Sequence, residues 1–198
     1  MMKEFWEKRY QDSAYAYGEE PNLFFKEQLD QLLPGKLLLP FEGEGRNAVY
    51  AASKGWEVIA FDFSEAGRDK ALQLAKKHGV VIDYRISTWE AFDFQAKTFD
   101  VVALIYAHLP EEKRQLFHAK ASDALKEGGT LLLEAFTKKQ LGNSSGGPQQ
   151  LEALYDTDGL KKDFSEVRVL HLMEETVQLN EGEFHNGSAE VIRLVAKK

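Results

Sequence analysis

Leu37-Leu38-Leu39-Pro40-Phe41-Glu42-Gly43-Glu44-Gly45-Arg46-Asn47-Ala48 decides the fold. It runs from a short apolar stretch through two glycines into a helix-like segment, Arg46 to Lys54, closed by Gly55. A brief apolar run that ends at glycines reads as a buried strand, and Pro40 stands near its end, where a lost ladder bond matters least. Next, Glu57-Val58-Ile59-Ala60-Phe61-Asp62 reads as a second strand, and Ser64 is an N-cap for a helix that reaches about His78-Gly79.

The alternation continues in both directions. Upstream, Asn22 to Leu33 has apolar residues at helical spacing, with Pro21 in its first turn and Pro34-Gly35 as its stop. Downstream, Val80 to Ile86 and Phe99 to Tyr106 read as strands three and four. Pro110 then opens a helix closed by Gly128-Gly129, and Thr130 to Phe136 is strand five. Residues 138–150 are turn-rich, and segments near 166–174 and 188–196 form an antiparallel pair across a short connection. The expected fold class is α/β: a single-domain Rossmann-like sheet of about seven strands, mostly parallel with a C-terminal antiparallel hairpin. Helices cover both faces. Residues 1–35 are an N-terminal lid and helical segment, and 36–198 form the α/β core.

Composition sets the limits. The 198 residues are 43% hydrophobic and 29% charged, the makeup of one ordinary globular domain. The absence of cysteine excludes disulfides, thiolate catalysis and cysteine-ligated metals. A net charge of −7 makes nucleic acid a poor partner. The charged N-terminus lacks a signal-peptide core, and no apolar run approaches a membrane span. A cytoplasmic protein, monomeric or weakly dimeric, is expected.

In open α/β sheets ligands bind outside the carboxyl ends of the strands. The local pattern Gly-x-Gly-x-x-Ala, with Asp62 17 residues beyond Gly45, suits a nucleoside whose ribose diol meets the acid. Glu42 and Glu44 would repel a pyrophosphate and welcome an ammonium and a sulfonium, favouring S-adenosylmethionine over NAD. Among the histidines, His108 lies just past strand four and is the general-base candidate. His185 sits in the late hairpin loop, where it could border a substrate. His78, His118 and His171 read as structural or surface residues, and no histidine pair has metal-ligand spacing.

The chain resembles the small class I S-adenosylmethionine-dependent methyltransferases, in the branch near the tellurite-resistance and thiopurine methyltransferases. The residues that carry the resemblance span nearly the whole chain. They are Phe5-Trp6-Glu7-Lys8-Arg9-Tyr10, Tyr15-x-Tyr17-Gly18-x-x-Pro21-Asn22, Glu42 to Ala48 and Phe61-Asp62-Phe63-Ser64. They continue through Ala107-His108-Leu109-Pro110, Leu125-Lys126-x-Gly128-Gly129, Leu133 to Phe136, and Leu179-Asn180-Glu181-Gly182-x-Phe184-His185-x-Gly187.

Two positions depart from the superfamily's Asp-x-Gly-x-Gly-x-Gly. Leu39 replaces the acid and Phe41 the first glycine, and Glu42 is expected to take over the acid's support of the loop. The resemblance implies that Gly43, Gly45 and Arg46 cradle the methionyl part of the cofactor, with Asp62 on the ribose. Phe63 would cover the adenine, and Ser87, Thr88 and Trp89 would line its edge. Ile105 and Tyr106 would close the other face, and Tyr17 and Gly18 would lid the site. The catalytic candidates are then His108, Tyr106 and His185, acting on a small-molecule methyl acceptor with sulfur, a metalloid, oxygen or nitrogen as the accepting atom; no metal is expected. Two other readings stay open: a non-catalytic cofactor-binding or interaction module, and an NAD-dependent enzyme.

Overall fold

The computed structural model describes residues 2–198. Five parallel strands form most of the sheet: β1 (Lys36–Pro40), β2 (Glu57–Asp62), β3 (Asp83–Ile86), β4 (Phe99–Ile105) and β5 (Leu125–Phe136). β6 (Arg168–Asn180) and β7 (Asn186–Lys197) make the antiparallel hairpin, and β7 inserts beside β5. The seven-stranded order is β3-β2-β1-β4-β5-β7-β6. The strand order reverses between the parallel neighbours β1 and β4, the switch point at whose carboxyl ends such sheets bind ligands.

Alternation along the strands sorts the two faces. Leu37, Leu39, Val58, Ala60, Val101 and Ala103 pack under α2 (Leu23–Leu29), α3 (Arg46–Ser53) and α4 (Glu65–Lys77). Leu38, Ile59, Phe61, Val102 and Leu104 pack under α5 (Glu111–Ala124) and α6 (Thr157–Asp163). Leu39 thus puts an apolar side chain into the α3–α4 layer.

Several element boundaries differ from the sequence reading. Residues 2–10 form a helix, α1, that short-range pattern did not reveal, and so do residues 157–163. The helix after Pro110 ends at Ala124 instead of the glycines, because β5 already begins at Leu125, which pairs with Phe99. The hairpin strands extend to Asn180 and from Asn186, leaving five residues between them.

Candidate cofactor and acceptor site

The loop after β1 makes its turn in the left-handed region. Phe41 has φ 56°, Gly43 57° and Gly45 85°. A non-glycine residue there costs about 1–2 kcal/mol. The Phe41 ring offsets that strain by packing against Phe61 and Phe117, at ring-centre distances of 6.3 and 5.2 Å. The two remaining glycines serve different needs. A Cβ on Gly45 would lie 2.4 Å from the Ala71 Cβ, so this glycine lets α3 approach α4. A Cβ on Gly43 would lie 2.7 Å from the Tyr10 hydroxyl, so the space above Gly43 is roofed by α1.

Glu42 and Glu44 do not face an open pocket. Glu42 accepts the Ala48 N–H at 2.7 Å and the Asn47 amide at 3.3 Å, capping the first turn of α3 from within its own loop. Burial pushes its pKa up to about 7. Glu44 pairs with Lys70 at 2.5 Å and accepts the Ala16 N–H at 2.8 Å. The expectation that both carboxylates would greet a ligand's ammonium is therefore corrected. One holds a helix end and the other fastens the N-terminal segment.

Asp62 ends β2, buried, where it accepts the Ser64 N–H at 2.9 Å. Burial, and to a lesser degree the charge of Glu7, push its pKa up to about 6. Glu7 reaches across from α1 to cap α4, accepting from the Ser64 hydroxyl at 2.6 Å and from the N–H groups of Glu65 and Ala66. Phe63 follows Asp62, half-buried. Ser87 continues the β3 edge by donating its N–H to Asp62 O, and Thr88 is exposed. Trp89 is 5% exposed and packs on Phe117, which places it in the core instead of on an open adenine face. Ile105 is buried in the layer beneath α3 and α4.

Past β4, Tyr106 adopts φ 54°, a strained conformation of the kind that gathers at functional sites. Its hydroxyl donates to Glu134 Oε1 at 2.8 Å. Glu134 is 1% exposed within apolar β5, and it also accepts from Asn22 at 2.6 Å and Arg193 at 2.5 Å. Asn22 bonds Glu181 in turn, and Arg46 bonds both Glu181 at 2.9 Å and the Tyr17 carbonyl at 3.0 Å. Arg46 thereby ties the start of α3 to two covering segments.

Those segments interlock through glycines. A Cβ on Gly182 would lie 2.6 Å from Gly18 N and 2.8 Å from Ala16 O, so residues 16–18 lie flush on the β6–β7 turn. Tyr17 accepts from Arg9 through its hydroxyl and sets its ring 4.4 Å from that of His185. Beside this closure is a groove of about 490 Å³, lined by Pro21, Asn22, Glu134, Leu179, Glu181 and Arg193 among others.

The two histidine candidates separate. His108 Nδ1 lies 2.7 Å from the Ala153 carbonyl, and Nε2 accepts the Phe136 N–H at 3.1 Å. Both nitrogens are therefore committed to the backbone, and burial pushes the pKa down to about 4. His108 is a neutral clamp between two loops, and it has no free lone pair with which to act as a base. His185 bonds Glu181 Oε2 through Nδ1 at 3.2 Å. Its ring is set among Tyr17, Tyr106 and Phe136.

The sequence reading assigned no role to Glu7, Tyr10, Asn22, Glu134, Glu181 or Arg193. All but Arg193 lie within the motifs that carry the resemblance, and Glu134 also stood out as a carboxylate in the apolar run Leu131 to Phe136. The rest meet only through long-range packing.

Residues 42–129 match the family model described as a methyltransferase domain. No curated protein matches the chain by sequence. Solved structures match across the whole fold. One, reported with the conversion of a disulfide bond into a thioacetal group during echinomycin biosynthesis, has TM-score 0.80 and 14% identity, covering 100% of this chain and 92% of that one. TehB from Haemophilus influenzae has TM-score 0.73 and 16% identity, covering 99% of this chain and 66% of that one. An S-adenosylmethionine-dependent methyltransferase from Clostridium acetobutylicum has TM-score 0.65 and 14% identity, covering 88% and 89%. At these identities the likeness shows the fold. Residues 42–129 are thus similar to a methyltransferase domain, and the whole chain shares the fold of these solved structures.

Proposed function

We propose that this chain transfers the methyl group of S-adenosylmethionine to a small-molecule acceptor. The observation that carries the reading is the buried carboxyl of Asp62 beside the glycine turn, at the crevice end of a methyltransferase domain. Asp62 accepts only backbone N–H groups among its named partners, and burial raises its pKa. Donors such as the two hydroxyls of a ribose would compensate that burial. The residues thus fit an adenosyl group, with Asp62 and Gly43 holding it and Tyr10 and Tyr17 roofing it. S-adenosylmethionine, when bound, supplies an electrophilic methyl on a sulfonium. The chain's part is alignment and exclusion of water, and the Tyr17 and Tyr106 faces suit a cationic sulfur.

The same geometry disfavours a dinucleotide, by a different route from charge repulsion at an open loop. A pyrophosphate needs the N–H groups at the start of α3, and Glu42 already occupies one of them. The non-catalytic reading draws its support from Phe41, which stands where the pattern it resembles has a glycine and takes a positive φ. A cytoplasmic setting and the branch near the tellurite-resistance and thiopurine enzymes complete the proposal, supported by the cysteine-free sequence and the motif order.

Incubation with S-adenosylmethionine and a pooled small-metabolite extract tests it. Enzyme-dependent S-adenosylhomocysteine, together with one methylated metabolite, is expected. Tight cofactor binding with no product from any extract favours the non-catalytic module.

A further inference from the structure

Four separate segments converge on one imidazole. Tyr17 of the N-terminal segment and Tyr106 at the end of β4 set their ring centres 4.4 and 4.5 Å from that of His185, and Phe136 at the end of β5 lies at 5.2 Å. The loop after β5 brings Gly146 so close that a Cβ there would lie 2.7 Å from His185 Cδ2. The convergence lies at the carboxyl ends of β4 and β5, where this sheet class binds its ligands.

The polar side of the ring is equally ordered. His185 Nδ1 meets Glu181 Oε2 at 3.2 Å, and Arg46 holds the same carboxylate oxygen at 2.9 Å. The hydrogen bond from His185 and the charge of Arg46 hold Glu181 ionised, its pKa lowered to about 2 although burial opposes this. A carboxylate can only accept, so Nδ1 carries the proton and Nε2 the lone pair.

We infer that His185 is the proton acceptor of the transfer reaction, with Glu181 as the positioning residue that fixes its tautomer. The inference rests on the methyl-transfer reading and narrows the acceptor to a neutral group bearing a removable X–H proton. As the lone pair of X forms a bond to the methyl carbon, the carbon–sulfur electrons return to sulfur, and the X–H proton passes to Nε2. His185 then releases that proton to water. A metalloid anion or other nucleophile already deprotonated would have no use for the arrangement.

The charges facing the ring set its titration. Burial lowers the pKa of His185, Glu181 raises it, and the cations Arg46 and Arg9 lower it; His108 faces it as a neutral ring. His185 is thus unprotonated at neutral pH and able to take a proton.

Diethyl pyrocarbonate, which reacts with the unprotonated imidazole nitrogen, tests the assignment without a known acceptor. Mass spectrometry should show carbethoxylation of His185, with a rate that rises with pH to a plateau and a midpoint below 6.5. Glu181→Gln should move that midpoint further down, because the anion that favours protonation is gone. Nitrogen-15 spectra of the wild-type imidazoles should show His185 protonated on Nδ1 at pH 7. An Nε2–H tautomer, or a His185 inert to the reagent while exposed His78 reacts, overturns the inference. Calorimetry with S-adenosylhomocysteine separates the two claims. Binding retained alongside a failed His185 test removes only the proton acceptor, whereas absent binding removes the methyl-transfer reading itself.

Discussion

The carboxylate of Glu42 accepts the N–H of Ala48 at 2.7 Å, so the anion-seeking end of α3 is satisfied by a residue of the same loop. It holds the loop after β1 to the first turn of α3, while Leu39 lies buried in the layer beneath. It also makes a buried carboxyl part of the loop after β1, with consequences for pH dependence.

Glu42 has its pKa raised from the ordinary carboxyl value to about 7 in the folded chain, and Asp62 to about 6. Both bind protons more tightly folded than unfolded. The stability these two carboxyls contribute is therefore full near pH 4 and below, and it is lost as pH rises toward 7. Glu42→Gln keeps an oxygen acceptor for Ala48 and removes the titration. Its share of the loss, on the order of 3 kcal/mol at about 1.4 kcal/mol per pKa unit, should disappear. Urea unfolding at pH 5 and pH 8 measures it; an unchanged pH dependence contradicts the assignment.

Asp62→Ala should weaken S-adenosylhomocysteine binding by roughly 1–3 kcal/mol, the cost of charge-assisted hydrogen bonds left unmade. Ribose donors would lower the raised pKa of Asp62, so binding should release protons near pH 6 and tighten from pH 5 to 7. Calorimetry in buffers of different ionisation enthalpy reads the proton count. No release at pH 6 would remove the ribose from Asp62.

His108→Ala should cost stability, about 2–4 kcal/mol, because the Ala153 carbonyl and the Phe136 N–H both lose a partner. Affinity for S-adenosylhomocysteine in the folded fraction should be unchanged. A variant as stable as wild type would show that the clamp carries no load.

Gly182→Ala places a Cβ 2.6 Å from Gly18 N at φ 87°. It should prise the N-terminal segment from the hairpin, and hydrogen exchange should quicken at residues 14–18. Exchange identical to wild type would separate the two segments functionally.

The succession of strands and helices along the chain was legible in the sequence because apolar alternation and glycine stops are local signals. β1 and β2 were read within one residue of their observed ends, and α4 within one residue of its start and its finish. Of the candidate site, the placement of Asp62 at the end of β2 and of Tyr106 just past β4 was legible, because strand ends are local signals. Glu42 and Glu44 show the limit: their charges were evident, but their partners Ala48 and Lys70 are set by how α3 and α4 pack. Trp89 and His108 lie beside the crevice in sequence, yet core packing and backbone hydrogen bonds claim them.

The central claim, an adenosyl cofactor at the rim of β1 and β2, is tested most directly by thermal unfolding with two nucleotides at equal concentration. S-adenosylhomocysteine at about 100 times its Kd should stabilise the chain by about 2.7 kcal/mol. At roughly 2–4 °C per kcal/mol for a chain of this length, Tm should rise on the order of 5–10 °C. NAD should leave Tm unchanged, because Glu42 already fills the start of α3. A rise with NAD and none with S-adenosylhomocysteine would contradict the account.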